Sequence, residues 1–311
     1  MVKVGVLLGG WDFRTGTTAD MALDAARRAE SVGLDALVVG DHVTFHGAGN
    51  DGLTLLTAYA VVTSRIELKT CVYLLPLRHP VPVALQAAQL DQLSEGRLVL
   101  GVGIGGEDRH EFWSCGVDPG TRGARTNESL QILRRLWQED DVSFNGRHFQ
   151  LDAVSVNPKP LRPIPLFVGG RSDAALVRAG RYGDGYTGIW QSRDRFVAAT
   201  ARIYEEAELA GRGDVGFEMG MQFWTGIDDD RDVARAFVGA GMEAMYRLPF
   251  ERFERYTPYG SAAEVAAFIA PYIEAGARHV NLVPTQGTPE ENIERVAEVR
   301  EELRALFPER T

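Results

Sequence analysis

The chain has 311 residues, 45% of them hydrophobic, with a formal net charge of −10 and two cysteines. That is enough apolar residue to bury one large core, and the acidic balance disfavours nucleic acid, which needs a basic surface. Cys71 and Cys115 alone exclude a disulfide framework and point to a reducing cytoplasm, no stretch approaches the roughly 20 apolar residues of a membrane span, and residues 2–10 are too short a run for a signal peptide.

Residues 3–8 read as a strand and 19–32 as a helix closed by Gly33. A strand over 36–39 and a helix over 53–63 follow. Residues 66–75 form a third apolar strand, 82–93 a helix and 98–104 a fourth strand. Two such strands with a helix between them make a parallel β-α-β unit, buried on both faces. The spacing of Leu130, Leu133 and Trp137 predicts a helix over 122–137. Strand and helix then alternate as 165–168 with 172–182, 185–189 with 195–210, and 217–224 with 231–246. An additional helix over 262–275 precedes the last strand, 279–283, and the last helix, 289–306. Eight alternations are what a (β/α)8 TIM barrel requires. The reading is a single domain over 1–311 with insertions at the carboxyl-terminal face, about 140–163 and 247–260. The first is a hairpin around Asn145-Gly146, and the second carries Phe250, Phe253, Tyr256 and Tyr259.

Ligands of this architecture bind at the carboxyl ends of the strands. Asp41-His42 follows the second strand directly, so both reach that face, either as a capped rim or as working residues. Gly101-Val-Gly-Ile-Gly-Gly106 has the form of a dinucleotide fingerprint but ends a fourth strand, and Glu107-Asp108-Arg109 follows it. Gly101 and Gly103 are better read as small because something large lies against them. Gly105 and Gly106 let backbone approach a ligand. Between the fifth strand and its helix, Gly169-Gly170-Arg171-Ser172 is either an ordinary capped loop or a phosphate cradle. The six histidines show no metal-ligating spacing, and no nucleophile elbow or glycosidase carboxylate pair is evident.

The run LPLRHPVPVALQAAQLDQLSEGRLVLGVGIGG resembles the bacterial luciferase-like monooxygenase superfamily, above all its branch that uses the deazaflavin coenzyme F420. VGDH at the second strand, PLFVGGRSDAALVRAGRYGDGY across the fifth and sixth, and GARHVNLVP at the eighth extend the likeness over nearly the whole chain. The resemblance implies a ring at the barrel mouth, held against a non-prolyl cis peptide at Cys71-Val72, with Leu74 beyond it. Asp41 matches a residue beside the ring, and His42 one at the reacting face. Gly105 and Gly106 match the approach to the ribityl chain and phosphate, and Gly169, Gly170, Arg171 and Ser172 the phosphate loop. Glu107 falls near a catalytic acid of sugar-phosphate dehydrogenase members, although the loop GGEDRHEF differs from theirs in length. Arg109 and His110 are candidates for the coenzyme tail.

The activity so implied is hydride transfer between the deazaflavin C5 carbon and a small organic substrate. FMN is the alternative coenzyme, in a two-component monooxygenase; a non-catalytic flavin-binding protein is a second alternative. A homodimer and a separate cofactor reductase are the partners expected. The substrate pocket is expected from Phe45, His46, Trp190 and the aromatic segment 250–259.

Overall fold

The computed structural model describes residues 2–10, 12 and 16–308. Eight strands form the barrel: β1 (Lys3–Leu7), β2 (Ala36–Val39), β3 (Glu67–Thr70), β4 (Leu98–Gly103), β5 (Leu166–Gly169), β6 (Gly185–Ile189), β7 (Glu218–Ile227) and β8 (His279–Pro284). Each pairs in parallel with the next, and β8 with β1, so the sheet closes on itself. Closure buries both faces, which is why β2 and β4 contain no exposed position.

The helices are α1 (Ala19–Ser31), α2 (Gly52–Ala60), α3 (Pro80–Leu93), α4 (Arg109–Ser114), α5 (Arg122–Gln138), α6 (Asp173–Tyr182), α7 (Arg193–Leu209), α8 (Arg231–Tyr246), α9 (Ala262–Glu274) and α10 (Pro289–Leu306). Their starts follow local chemistry. Ser172 and Ser192 accept a backbone N–H at the heads of α6 and α7, and Ser261 and Thr288 form capping boxes with Glu264 and Glu291. Among the described residues, no helix is long and apolar enough to cross a membrane, and no group of three or more His, Cys, Asp or Glu could hold a metal ion.

Two expectations about the insertions need correction. The hairpin Val142–Asn145 with Gln150–Val154 forms as expected, but its base is not at the carboxyl-terminal face; only its turn end reaches that face, where Phe149 meets the ring of His79 at 5.1 Å. It leaves from the α5–β5 connection, which must return to the start of a parallel strand and so lies at the other end of the barrel. From there it runs up the outside of α5, where Glu128 accepts the N–H groups of Arg147, His148 and Phe149. The second correction concerns β7. The apolar spacing predicts 231–246 as its barrel helix and 262–275 as the extra one; the roles are reversed. After α8 the chain comes back to the carboxyl end of β7, where Tyr259 and Gly260 pair with Gly226 and Ile227. Only then does α9 lead down to β8, packed between α7 and α10. The whole stretch 228–260 is therefore an excursion over the barrel mouth. Its buried core is Val238, Met242, Phe250 and Phe253, with Trp190, Trp224, Tyr246 and Tyr259 packed against it.

Two small elements at the mouth have no counterpart in the sequence reading. One is the hairpin of His42–Phe45 with Ala48–Asn50, and the other is the short helix α4. The third strand is also broken: β3 stops at Thr70 and resumes as Tyr73–Leu74, which pairs with Val102 and Gly103 of β4. The Cys71-Val72 peptide bond in the gap is cis.

The glycines of β4 make room for this break. A Cβ at Gly101 would stand 2.0 Å from the Thr70 carbonyl oxygen, and one at Gly103 would stand 2.2 Å from Val72 Cγ2. What presses on the fourth strand is thus the chain of its neighbour. Gly103→Ala is expected to push Val72 aside, costing about 1–3 kcal/mol of stability as overpacked sites do. A thermal melt that left the variant as stable as the parent would contradict this.

Candidate active site

The carboxyl ends of the strands enclose a cavity of about 450 Å³. One side is small and smooth: Cys71, Val72 and Leu74 follow β3, Gly103 and Gly105 end β4, and Gly169 and Gly170 end β5. Val72 stands in the space left by two glycines, since a Cβ at Gly169 would lie 2.4 Å from Val72 Cγ1. The other side is apolar and aromatic, with Leu7, Leu55, Trp190, Trp224, Tyr246 and Val283. In a closed eight-stranded barrel, β3 to β5 face β7, β8 and β1 across the axis.

Asp41 and His42 both line the cavity, but their side chains do different work. The Asp41 carboxylate is buried and accepts four hydrogen bonds. Arg78 donates Nη1 to Oδ2 at 2.5 Å and Nη2 to Oδ1 at 2.9 Å. The backbone N–H groups of Leu74 and Gly52 donate at 2.8 and 3.0 Å. Asp41 thereby ties the end of β2 to the head of α2 and to the resumed third strand. Burial pushes its carboxyl up from the ordinary value, against the opposing pull of the Arg78 guanidinium and the two N–H groups. Arg78 also lies 4.3 Å over the Tyr73 ring and reaches Asp51, which caps α2. The wall around Val72 is thus set by a charged network behind it.

His42 is partly buried, and its Nδ1 lies 3.2 and 3.3 Å from the two carboxylate oxygens of Glu111. Its ring stacks on Phe45 at 4.3 Å. Glu111 is almost wholly buried and also accepts from Val43 N at 2.6 Å and Thr44 N at 3.3 Å. Burial alone would raise the Glu111 carboxyl; His42 and the two N–H groups outweigh it and hold it below the ordinary value. A carboxylate on Nδ1 fixes the imidazole and leaves Nε2 as the nitrogen for exchange with a ligand. Sequence reasoning missed Glu111. The signal was faint: Asp108 caps a helix of only six residues, and Glu111 and Phe112 turn inward one turn later.

The remaining candidates scatter. Glu107 is exposed at the cavity rim and Gly105 lines the wall, its φ of 57° favouring glycine. Gly106 does not line the cavity, and a Cβ there would meet Arg122 Nε at 3.0 Å. His110 sits exposed on α4, with Nδ1 3.3 Å from the Ser114 hydroxyl. Arg171 and Ser172 border a neighbouring pocket of about 560 Å³ with Ser192, Arg195 and Tyr256. Trp190 lines both spaces and forms the partition between them. Phe45 lines the main cavity, whereas His46 turns away and gives its N–H to Asp108.

Two features fit a planar heterocycle. The Val72 wall is flanked by glycines, and at Gly170 (φ 132°) a Cβ would lie 2.9 Å from Ala175 Cβ, so backbone can approach a ligand closely there. Gln222 lines the cavity with its Oε1 buried and unpartnered, an acceptor that a ring N–H would satisfy.

Comparison with known proteins gives the family and the fold. A family model described as luciferase-like monooxygenase matches residues 7–305. An F420-dependent glucose-6-phosphate dehydrogenase of Kineococcus radiotolerans is 28% identical, over 90% of both chains. An F420-dependent hydroxymycolic acid dehydrogenase of Mycobacterium tuberculosis is 32% identical, over 75% of this chain and 70% of that one. Among solved structures, an F420-dependent secondary alcohol dehydrogenase with an F420–acetone adduct superposes with a TM-score of 0.84 at 24% identity. That match covers 97% of this chain and 99% of the other, and it speaks for the fold.

Proposed function

The chain belongs to the luciferase-like monooxygenase family, and on that basis we propose that it is an F420-dependent oxidoreductase acting on a small organic substrate. The observation that carries the reading is the cavity itself, with Val72 standing between Gly103 and Gly169 on one wall and the Glu111-bound His42 at its edge. The F420-dependent relatives support the choice of coenzyme. Bound there, the deazaflavin supplies a hydride acceptor or donor at its C5 carbon.

The chain's own residues do the rest. Val72 and Leu74 back the ring, and Cys71 lies on the cavity floor beside them. Asp41 holds that wall through Leu74 N–H and Arg78. Gly105 on the wall would leave room for the ribityl chain, while Gly106, matched to the same role by the resemblance, lies beside it outside the cavity lining. Gly169, Gly170, Arg171 and Ser172 would take the phosphate, where the N-terminus of α6 and a guanidinium favour an anion. His42 holds or moves the proton at the substrate oxygen through Nε2. Glu107 at the rim is the second candidate for a proton. The homodimer and the separate coenzyme reductase implied by the family resemblance belong to the same proposal.

Coenzyme choice is the direct test. F420 is expected to bind at least about tenfold more tightly than FMN, a gap of about 1.4 kcal/mol. Parallel titrations followed by absorbance measure it. Equal affinities, or binding of FMN alone, would return the reading to a flavin monooxygenase.

A further inference from the structure

The half of the cavity facing away from Val72 differs in chemistry from what a phosphorylated substrate needs. Among the described residues, no lysine or arginine lines it. The acidic side chains of the whole cavity are Asp41 and Glu107, and Asp41, at the Val72 wall, is already engaged by Arg78. Arg78 stands behind Asp41 with both Nη atoms committed to that carboxylate, Lys69 is enclosed in the barrel over Phe167, and Arg171 and Arg195 lie beyond Trp190. Arg171 stands 5.5 Å from the Trp190 ring, in the neighbouring pocket, and Arg195 beside it is paired with Asp173.

Trp190, Trp224 and Tyr246 form one aromatic corner. The Tyr246 ring meets Trp190 edge-on at 4.8 Å and Trp224 at 5.5 Å. Phe253 braces Trp190 and Tyr246 from behind, at 4.9 and 5.6 Å. The corner is assembled by β6, β7 and the 228–260 excursion, and its members hold one another in place. A phosphate or carboxylate placed against it would lose its water and gain no cation, and Glu107 at the rim would repel it. A hydrocarbon body gives up no hydration of its own there, although the indole N–H groups of Trp190 and Trp224 are buried without a hydrogen-bond partner.

We propose that the substrate is an uncharged, mainly apolar alcohol or its carbonyl counterpart, its oxygen toward His42 and its hydrocarbon against Trp190, Trp224 and Tyr246, and that sugar phosphates are excluded. This rests on the F420 reading above. In the oxidising direction the carbinol C–H bond breaks and its electron pair leaves as hydride to the oxidised deazaflavin. The hydroxyl proton passes to His42, and the alcohol becomes the carbonyl compound. The assignment separates this chain from its relatives named for glucose 6-phosphate, one of which is 28% identical over 90% of the chain.

The experiment has two arms. In the first, the purified protein is loaded with oxidised F420, and reduction is followed by absorbance with cyclohexanol and with glucose 6-phosphate. The expected kcat/KM ratio favours cyclohexanol by about a hundredfold or more, the scale on which an unpaired charge is rejected. In the second, saturation-transfer NMR on coenzyme-free protein compares cyclohexanol with glucose 6-phosphate, and repeats the comparison on Trp224→Arg. Cyclohexanol is expected to give signal with the parent chain and lose it in the variant, and glucose 6-phosphate to give none with the parent. Turnover or binding of glucose 6-phosphate equal to or better than that of cyclohexanol would overturn the proposal, and so would the absence of any cyclohexanol signal. If F420 does not bind, the coenzyme reading fails, and the NMR arm still decides the class of substrate.

Discussion

His42→Ala is expected to lower turnover by about a hundredfold or more, the loss associated with removing a positioned proton-transfer group, while coenzyme affinity stays nearly constant. The argument is geometric. His42 follows β2 at the cavity edge, its Nδ1 is occupied by Glu111, and its face is stacked on Phe45, so Nε2 is presented by a fixed ring. Glu111→Gln keeps the shape and the backbone hydrogen bonds but removes the charge beside the imidazole. It should therefore reduce kcat, by less than His42→Ala, and leave KM for the coenzyme unchanged. Melting temperatures must accompany the kinetics, because Glu111 also holds the Val43 and Thr44 N–H groups. Preserved turnover in a folded His42→Ala protein would reduce the residue to packing and move the proton to Glu107.

The second large effect is expected inside the barrel. Lys69 on β3 is fully buried, its Nζ has no hydrogen-bond partner, and it lies 4.1 Å over the ring of Phe167. The groups that act on it are Glu67 and Cys71 on its own strand and its continuation, Lys3 on β1 and Glu218 on β7. Glu218 is in turn hydrogen-bonded to His279 of β8. Burial dominates and lowers the ammonium to about 8. The unfolded chain then holds this proton more tightly than the folded one, so stability rises with pH between about 8 and 10.5. Below that window the full cost of a buried charge is present, on the order of 3 kcal/mol at about 1.4 kcal/mol per pH unit. Lys69→Met removes the charge and keeps the hydrocarbon. At pH 7 it should stabilise the protein by roughly 2–3 kcal/mol, a gain that shrinks as the pH rises from about 8. Denaturant midpoints at pH 7 and pH 10 test the sign. Destabilisation at pH 7, or a gain independent of pH, would show that Lys69 is held by contacts the charge itself provides.

Much of the architecture was legible in the chain because barrel strands are buried on both faces and read as unbroken apolar runs. Helix starts were legible because Ser172, Ser261 and Thr288 cap locally, within three residues of what they bind. The position of Asp41 and His42 followed from the same logic: a residue directly after a barrel strand must lie at the carboxyl face. The likeness to a known family added the cis bond at Cys71-Val72, which no propensity would have suggested.

What the sequence reading missed depends on long-range closure. Helices α8 and α9 have equally good apolar spacing, and only the pairing of Tyr259 with Gly226 decides which belongs to the ring and which covers the mouth. Asp41 looked like a ligand contact, but Arg78 comes from 37 residues away and takes both its oxygens. Glu111 becomes the partner of His42 only because α4 docks on a hairpin 69 residues before it. Lys69 looks like any strand lysine until the barrel closes around it. Local chemistry determined which segments are strands and where most helices begin. Tertiary structure decided which carboxylates are free, which cation is buried and which aromatics meet, because those outcomes depend on distances between residues far apart in the chain.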